Sequence, residues 1–152
     1  MSTPTHADAE LILKLYDLRR EAELRKARAW YVGQFWPQSV DEILAVLRAM
    51  NTQENAWLRQ VGGYWGIAAS FVSRGILNEE LFLEPSFSGE MFFIYAKVEP
   101  FLKELREKMQ NPGLFAGIEK VVTGSQAARD RFAMISKNVE NARKARLEAK
   151  AS

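Results

Sequence analysis

The sequence predicts an all-α protein: a single irregular helical bundle of six to eight helices, with long helices at the N- and C-terminal ends. Three observations carry this. Apolar residues recur three and four apart through most of the chain, as on one face of a helix. No run alternates apolar and polar residues between turn signals, as a half-buried strand would. Capping residues stand where the apolar stripes begin.

The first helix is expected from about Ala7 to Trp36. Leu11, Leu15, Leu18, Ala22, Ala29, Val32 and Trp36 keep alternating steps of four and three, with Arg25 in the one slot that is not apolar. Trp30, Tyr31, Phe35 and Trp36 point around most of the circumference, so that end should be wrapped by other elements. Pro37 stops the helix. Ser39 and Glu42 read as a capping box for a short helix through Ile43, Leu44, Val46 and Leu47.

Thr52 caps a central helix that closes at Arg74-Gly75-Ile76, with a cation in the last turn and glycine for the left-handed position. No charge falls between Arg59 and Arg74, an interval of 14 residues and the longest uncharged run in the chain. Trp57, Val61, Tyr64 or Trp65, Ala68 and Phe71 or Val72 form its buried stripe, while Gly62, Gly66 and Ser70 make a second face with almost no side chains. A large-residue face beside a bare one suits a helix in the middle of the bundle.

Asn78 starts another short helix, where the Glu79 and Glu80 carboxylates meet the helix dipole favourably. Pro85 to Gly89 reads as a turn-rich break, and Ser88 precedes a helix through Met91, Phe92, Phe93, Tyr95 and Val98. Pro100 must kink that helix or begin a new one carrying Leu102, Leu105 and Met109. Asn111-Pro112 should cap a short helix through Leu114, Phe115, Ile118 and Val121 to Gly124. Ser125 opens the last helix, whose stripe is Ala128, Phe132, Ile135, Val139 and Ala142. The expected division is therefore a flexible tail over 1–6, a helical domain over 7–142, and a basic, frayed end of the last helix over 143–152.

Composition narrows the function more by exclusion than by pointing. At 152 residues the chain fits one domain, able to bury roughly 68–70% of its unfolded surface. It has no cysteine, which removes disulfide frameworks, thiolate metal sites, iron–sulfur clusters and cysteine nucleophiles, and fits a reducing cytoplasm. The charge of +2, from 21 basic and 19 acidic residues, gives no strong field for nucleic acid. The polar start, Met1 to Asp8, lacks the apolar core of a secretory signal. The uncharged run of 14 residues falls short of the roughly 17–25 that a membrane span needs. A cytoplasmic protein with no membrane span and no nucleic-acid partner is expected.

The stretches Tyr64-Trp65-Gly66, Arg74-Gly75-Ile76-Leu77-Asn78-Glu79-Glu80-Leu81, Tyr95, Pro100 to Arg106, and Asn111-Pro112 ahead of Phe115 resemble a bacterial family of small helical proteins that carries a domain-of-unknown-function label. The likeness spans about residues 64–115. It implies an all-α fold and supplies no activity, cofactor or site residue. Some members of that family place a membrane-spanning segment first, and the charged first helix here departs from that pattern.

His6 is the only histidine, and it stands in the polar tail without partners. One histidine and no cysteine cannot assemble the usual catalytic triads, zinc sites or Glu-x-x-His di-metal bundles. Glu79 and Glu80, adjacent on a helix, point about 100° apart and cannot share a proton or a metal. Neither a cofactor nor a metal site is expected. Gly62-Gly63-Tyr64-Trp65-Gly66 matches neither the dinucleotide nor the phosphate-loop spacing, and no strand precedes it. Its helix-interior glycines each cost roughly 0.8–1 kcal/mol relative to alanine, so they need a reason. Close approach by a neighbouring helix is the first explanation. A ligand against the bare face, with Gly62, Tyr64, Trp65 and Gly66 as its site, is the alternative.

The basic last helix reads as a solvated face, since no aromatic is interleaved after Phe132 to stack bases. The terminal helices, at about 30 and 25 residues, would reach roughly 45 and 37 Å. That length favours pairing between copies, so a homodimer with the long helices at the interface is expected. The sequence thus points to a non-enzymatic interaction or regulatory module acting as a homo-oligomer. The alternative is a binder of a small apolar ligand beside the central helix.

Overall fold

The structure, a computed structural model, describes residues 2–152. In chain order the elements are α1 (His6–Leu18), α2 (Ala22–Gly33), α3 (Val40–Arg48), α4 (Gln53–Ser73), α5 (Glu79–Phe82), α6 (Pro85–Val98), a 3₁₀ turn (Glu99–Phe101), α7 (Leu102–Met109), α8 (Ala116–Val122) and α9 (Gln126–Ala151). Among the described residues there is no strand, and α5 is a single turn beside eight longer helices. The fold is all-α. Among the described residues no helix is long and apolar enough to cross a membrane.

Four of the caps anticipated from sequence sit where they were expected. Thr52 accepts from the Asn55 amide, Ser39 from Glu42 and Ser125 from Ala128, and Gly75 closes α4 at a φ of +73°. Thr5 caps α1, and Asp8 in its first turn completes a capping box. The Asp8 Oδ1 also accepts from the Asn78 amide at 2.8 Å, joining the start of the chain to α5. The Thr5 and Asn78 amides, with the Thr5 hydroxyl, hold the Asp8 carboxyl below its ordinary value.

The first helix departs from expectation. It is two helices, broken at Arg19–Glu21. Glu21 starts α2 by accepting from the Glu23 and Leu24 amides at 3.1 and 2.9 Å. The break also lets Arg19 turn inward, where its Nη1 donates to the Phe87 carbonyl at 3.0 Å and its guanidinium stacks near the Tyr16, Trp65 and Phe87 rings. Leu18, expected in the buried stripe, is 52% exposed, while Arg19 is 7% exposed. The C-terminal helix is long as expected, 26 residues, and stays helical through the basic end to Ala151.

Two other boundaries shift. Pro85 takes the first position of α6, so the expected break at 85–89 is helix and Ser88 is buried inside it. Residues 112–115 form a turn ahead of α8, with Phe115 left-handed at φ +58° where helix was expected. The 3₁₀ turn at Pro100 separates α6 from α7, as the proline required.

Packing has two centres. α4 lies against α2, α3 and α8, while α6 lies against α8 and α9. Nine of the 14 residues of α6 are buried, against seven of 21 in α4, so the most enclosed helix is α6 and not the uncharged one. The aromatic end of α2 is wrapped as anticipated: Trp30, Tyr31 and Phe35 are buried, and the Tyr31 hydroxyl donates to the Ile94 carbonyl at 2.9 Å.

Candidate functional site

The faces of α4 separate the four residues singled out in the sequence. Gly62 and Gly66, with Gly63, floor a groove of about 360 Å³ between α4 and the segment from Asn111 to Ile118. Tyr64 and Trp65 point elsewhere. The Tyr64 hydroxyl donates to the Leu15 carbonyl on α1, and burial pushes this phenol's pKa up. Trp65 is fully buried, its Nε1 donating to Glu90 Oε1 at 3.0 Å. Glu90 in turn holds Arg28, with Nη2 to Oε2 at 2.7 Å, and this hydrogen bonding raises the guanidinium's pKa. These groups tie α1, α2, α4 and α6 together as one polar staple. They do not reach the groove.

Close packing does not account for the glycines. A Cβ placed on Gly63 or Gly66 would meet nothing within 4 Å, and one on Gly62 would only touch the Phe115 ring at an ordinary 3.8 Å. The nearest backbone approach is from α8, where a Cβ on Gly117 would lie 3.8 Å from the Gly66 carbonyl oxygen. Alanine would therefore fit at Gly63 and Gly66 and favour the helix. The bare face stays open.

The facing wall is held in an unusual backbone shape. α7 ends at Gln110 with φ +52°, and Asn111 Oδ1 accepts from the Gly113 amide at 3.0 Å. Phe115, left-handed like Gln110, lies in a region that large side chains avoid at a cost on the order of 1–3 kcal/mol. Arg106 braces this segment from behind: Nε donates to the Leu114 carbonyl at 2.9 Å and Nη1 pairs with Glu119 Oε2 at 3.2 Å. Tyr95 donates to the same Glu119 oxygen at 2.8 Å, and burial and this carboxylate raise its phenol's pKa.

Chemically the groove can bind and orient. Leu47, Leu58, Leu114, Phe115 and Ile118 supply apolar wall, and Arg59 and Asn111 are its polar side chains. Among the described residues no carboxylate, hydroxyl or imidazole side chain lines it, so these side chains offer no general acid, base or oxygen nucleophile. His6, Glu79 and Glu80 lie on α1 and α5, away from it. Sequence reasoning missed Arg59 and the 111–118 wall. The Asn111-Pro112-Gly113 turn signal was present but was absorbed into a helix start.

A second concentration of charge sits at the far end of α6. Lys97 is fully buried, and its ammonium donates to the carbonyls of Tyr31, Val32 and Phe35 while lying 3.9 Å from the centre of the Trp36 ring. It therefore satisfies the last carbonyls of α2. Arg146 covers Trp36 at 4.5 Å, and Arg143 Nη2 donates to the Lys97 carbonyl at 2.7 Å. Burial, then the charges of Arg146 and Arg143, lower the Lys97 pKa to about 7. The amine has no solvent access, so its role is structural.

Residues 4–125 match the model of the family described as Domain of unknown function (DUF4760), and the chain belongs to that family. No curated protein and no solved structure matches it.

Proposed function

We propose that this member of the family is a non-catalytic binding protein that holds a small, mostly apolar ligand in the groove between α4 and the 111–118 segment. The open glycine floor carries the reading. Glycine at positions 63 and 66 costs the helix roughly 0.8–1 kcal/mol each, and no neighbouring side chain occupies the space it leaves. The strained Phe115 on the opposite wall supports it, because such backbone outliers concentrate at ligand clamps and active sites. The volume, about 360 Å³, lies within the range of small-molecule sites.

Native mass spectrometry of the purified full chain tests this. A small molecule should travel with the wild-type protein and be lost from Gly66→Leu, whose side chain projects into the open groove. A wild-type spectrum showing bare polypeptide alone, with no mass added on incubation with apolar metabolite mixtures, would count against the reading.

A second reading, self-association through helical surfaces in the cytoplasm, keeps one specific support. Leu13, Tyr16 and Leu18 of α1 are 67%, 49% and 52% exposed, an unusual apolar display for a single helix. The same spectra report subunit number. A monomer mass at all concentrations would remove the homodimer.

A further inference from the structure

We infer that the groove's ligand is an apolar monoanion, a medium-length aliphatic carboxylate whose acid group lies at Arg59. This rests on the groove reading above and adds the chemistry of the occupant. Among the described residues Arg59 is the one charged side chain lining the groove. Its orientation is built from below: Asn55 is fully buried, and its Nδ2 donates at 3.0 Å to the Val46 and Leu47 carbonyls near the end of α3. The Asn55 Oδ1 then accepts from Arg59 Nε at 2.9 Å. A buried amide thus fixes one edge of the guanidinium. Nη1 and Nη2 have no hydrogen-bond or ion-pair partner among the described residues.

The second polar side chain shows the same polarity. Asn111 spends its oxygen on the Gly113 amide, and its Nδ2 donates to no group among the described residues. The exposed Arg59 and Asn111 therefore offer more donors than acceptors without a protein partner, beside an apolar wall that includes Leu58, Leu114 and Ile118. A carboxylate is acceptor-only and matches a guanidinium edge, while the wall takes an alkyl body. An alcohol head would forgo the charge assistance, and an ammonium head would meet like charge. One arginine matches one negative charge.

Calorimetric titration of the full chain at low salt with octanoate, octan-1-ol and octylamine tests the inference. Octanoate should bind about fivefold more tightly than octan-1-ol, the scale of an exposed ion pair, with octylamine weakest. Arg59→Gln should lower octanoate until the acid and the alcohol bind alike. Gly66→Leu should abolish both. Equal binding of acid and alcohol, or an unchanged octanoate affinity in Arg59→Gln, overturns the carboxylate assignment and leaves the groove reading standing. No binding of any of the three overturns both. Thermal unfolding of each variant establishes that a lost signal is not lost fold.

Discussion

α4 and α6 invert one another. α4 carries the chain's longest uncharged run, yet Gly63 and Ile67 of that run are exposed, Ile67 by 56%. α6 carries Glu90 and Lys97, yet most of its length is enclosed and Lys97 has no exposed surface. The difference teaches what decides burial once a stretch is helical. Apolar area sets how much can be buried, whereas the destinations of polar groups set which charged residues are allowed inside. Lys97 goes inside because three carbonyls at and just past the end of α2 need a donor and the ring faces of Trp36 and Phe93 favour a cation. The α4 glycine face stays open because, among the described residues, no side chain fills the space beside Gly63 and Gly66.

Breaking the α6 side should have the largest effect. Lys97→Ala leaves the Tyr31, Val32 and Phe35 carbonyls without their donor and opens a cavity, and should cost about 3 kcal/mol or more in urea unfolding. A loss under about 1 kcal/mol would mean that water replaces the ammonium and that α2 does not depend on it.

A smaller effect, in pH, sharpens the same point. The Lys97 value in the folded chain, about 7, lies below the 10.5 of an ordinary lysine, so the folded state releases this proton first. Both states hold the proton below about 7, where the group contributes least to stability. Its contribution rises as pH climbs from 7 toward 10.5. The urea midpoint of the wild type, measured against Lys97→Met at pH 6.5 and 9, should therefore gain at the higher pH. A pH-independent difference would show that the carbonyls and ring faces hold the charge against burial.

On the α4 side, changes should be small and of opposite sign. Gly66→Ala should stabilise by roughly 0.8–1 kcal/mol, since its Cβ meets nothing and helix propensity improves. For a domain of this size that is a rise in Tm of about 2–4 °C. A fall in Tm would reveal a neighbour closer than the structure places it. Smallest of all, Ile67→Ser should stay within about 0.5 kcal/mol of wild type. A larger loss that depends on protein concentration would instead mark Ile67 as covered in an assembly.

Much of this architecture could be read from residues alone, because caps are local. Thr52, Ser39, Ser125 and Gly75 each satisfy backbone groups within a few positions, so their spacing reports the element boundary directly. The break at Arg19–Glu21 could not be read that way. The apolar spacing of Leu11, Leu15, Leu18 and Ala22 runs across it, and the inward turn of Arg19 that accompanies it meets a carbonyl 68 positions away. The start of α6 was hidden because Pro85 serves equally in a turn and at the first position of a helix. At the candidate site, the glycine face was legible as an anomaly that needed a reason. Its separation from Tyr64 and Trp65 was not, since it depends on which neighbours each side of α4 meets.

The family match ends at residue 125, and α9 begins at Gln126. α9 is nevertheless what covers α6: Phe132 packs on Tyr95, Arg131 Nη1 donates to the Ser88 hydroxyl, and Arg143 reaches the Lys97 carbonyl. A fragment cut to the matched span would strip the cover from the most enclosed helix and bare a sticky face of Phe92 and Tyr95. Such a fragment should aggregate or light up a hydrophobic dye on expression, where the full chain stays dark. That outcome would put the smallest piece of this chain that folds beyond the boundary drawn by sequence likeness.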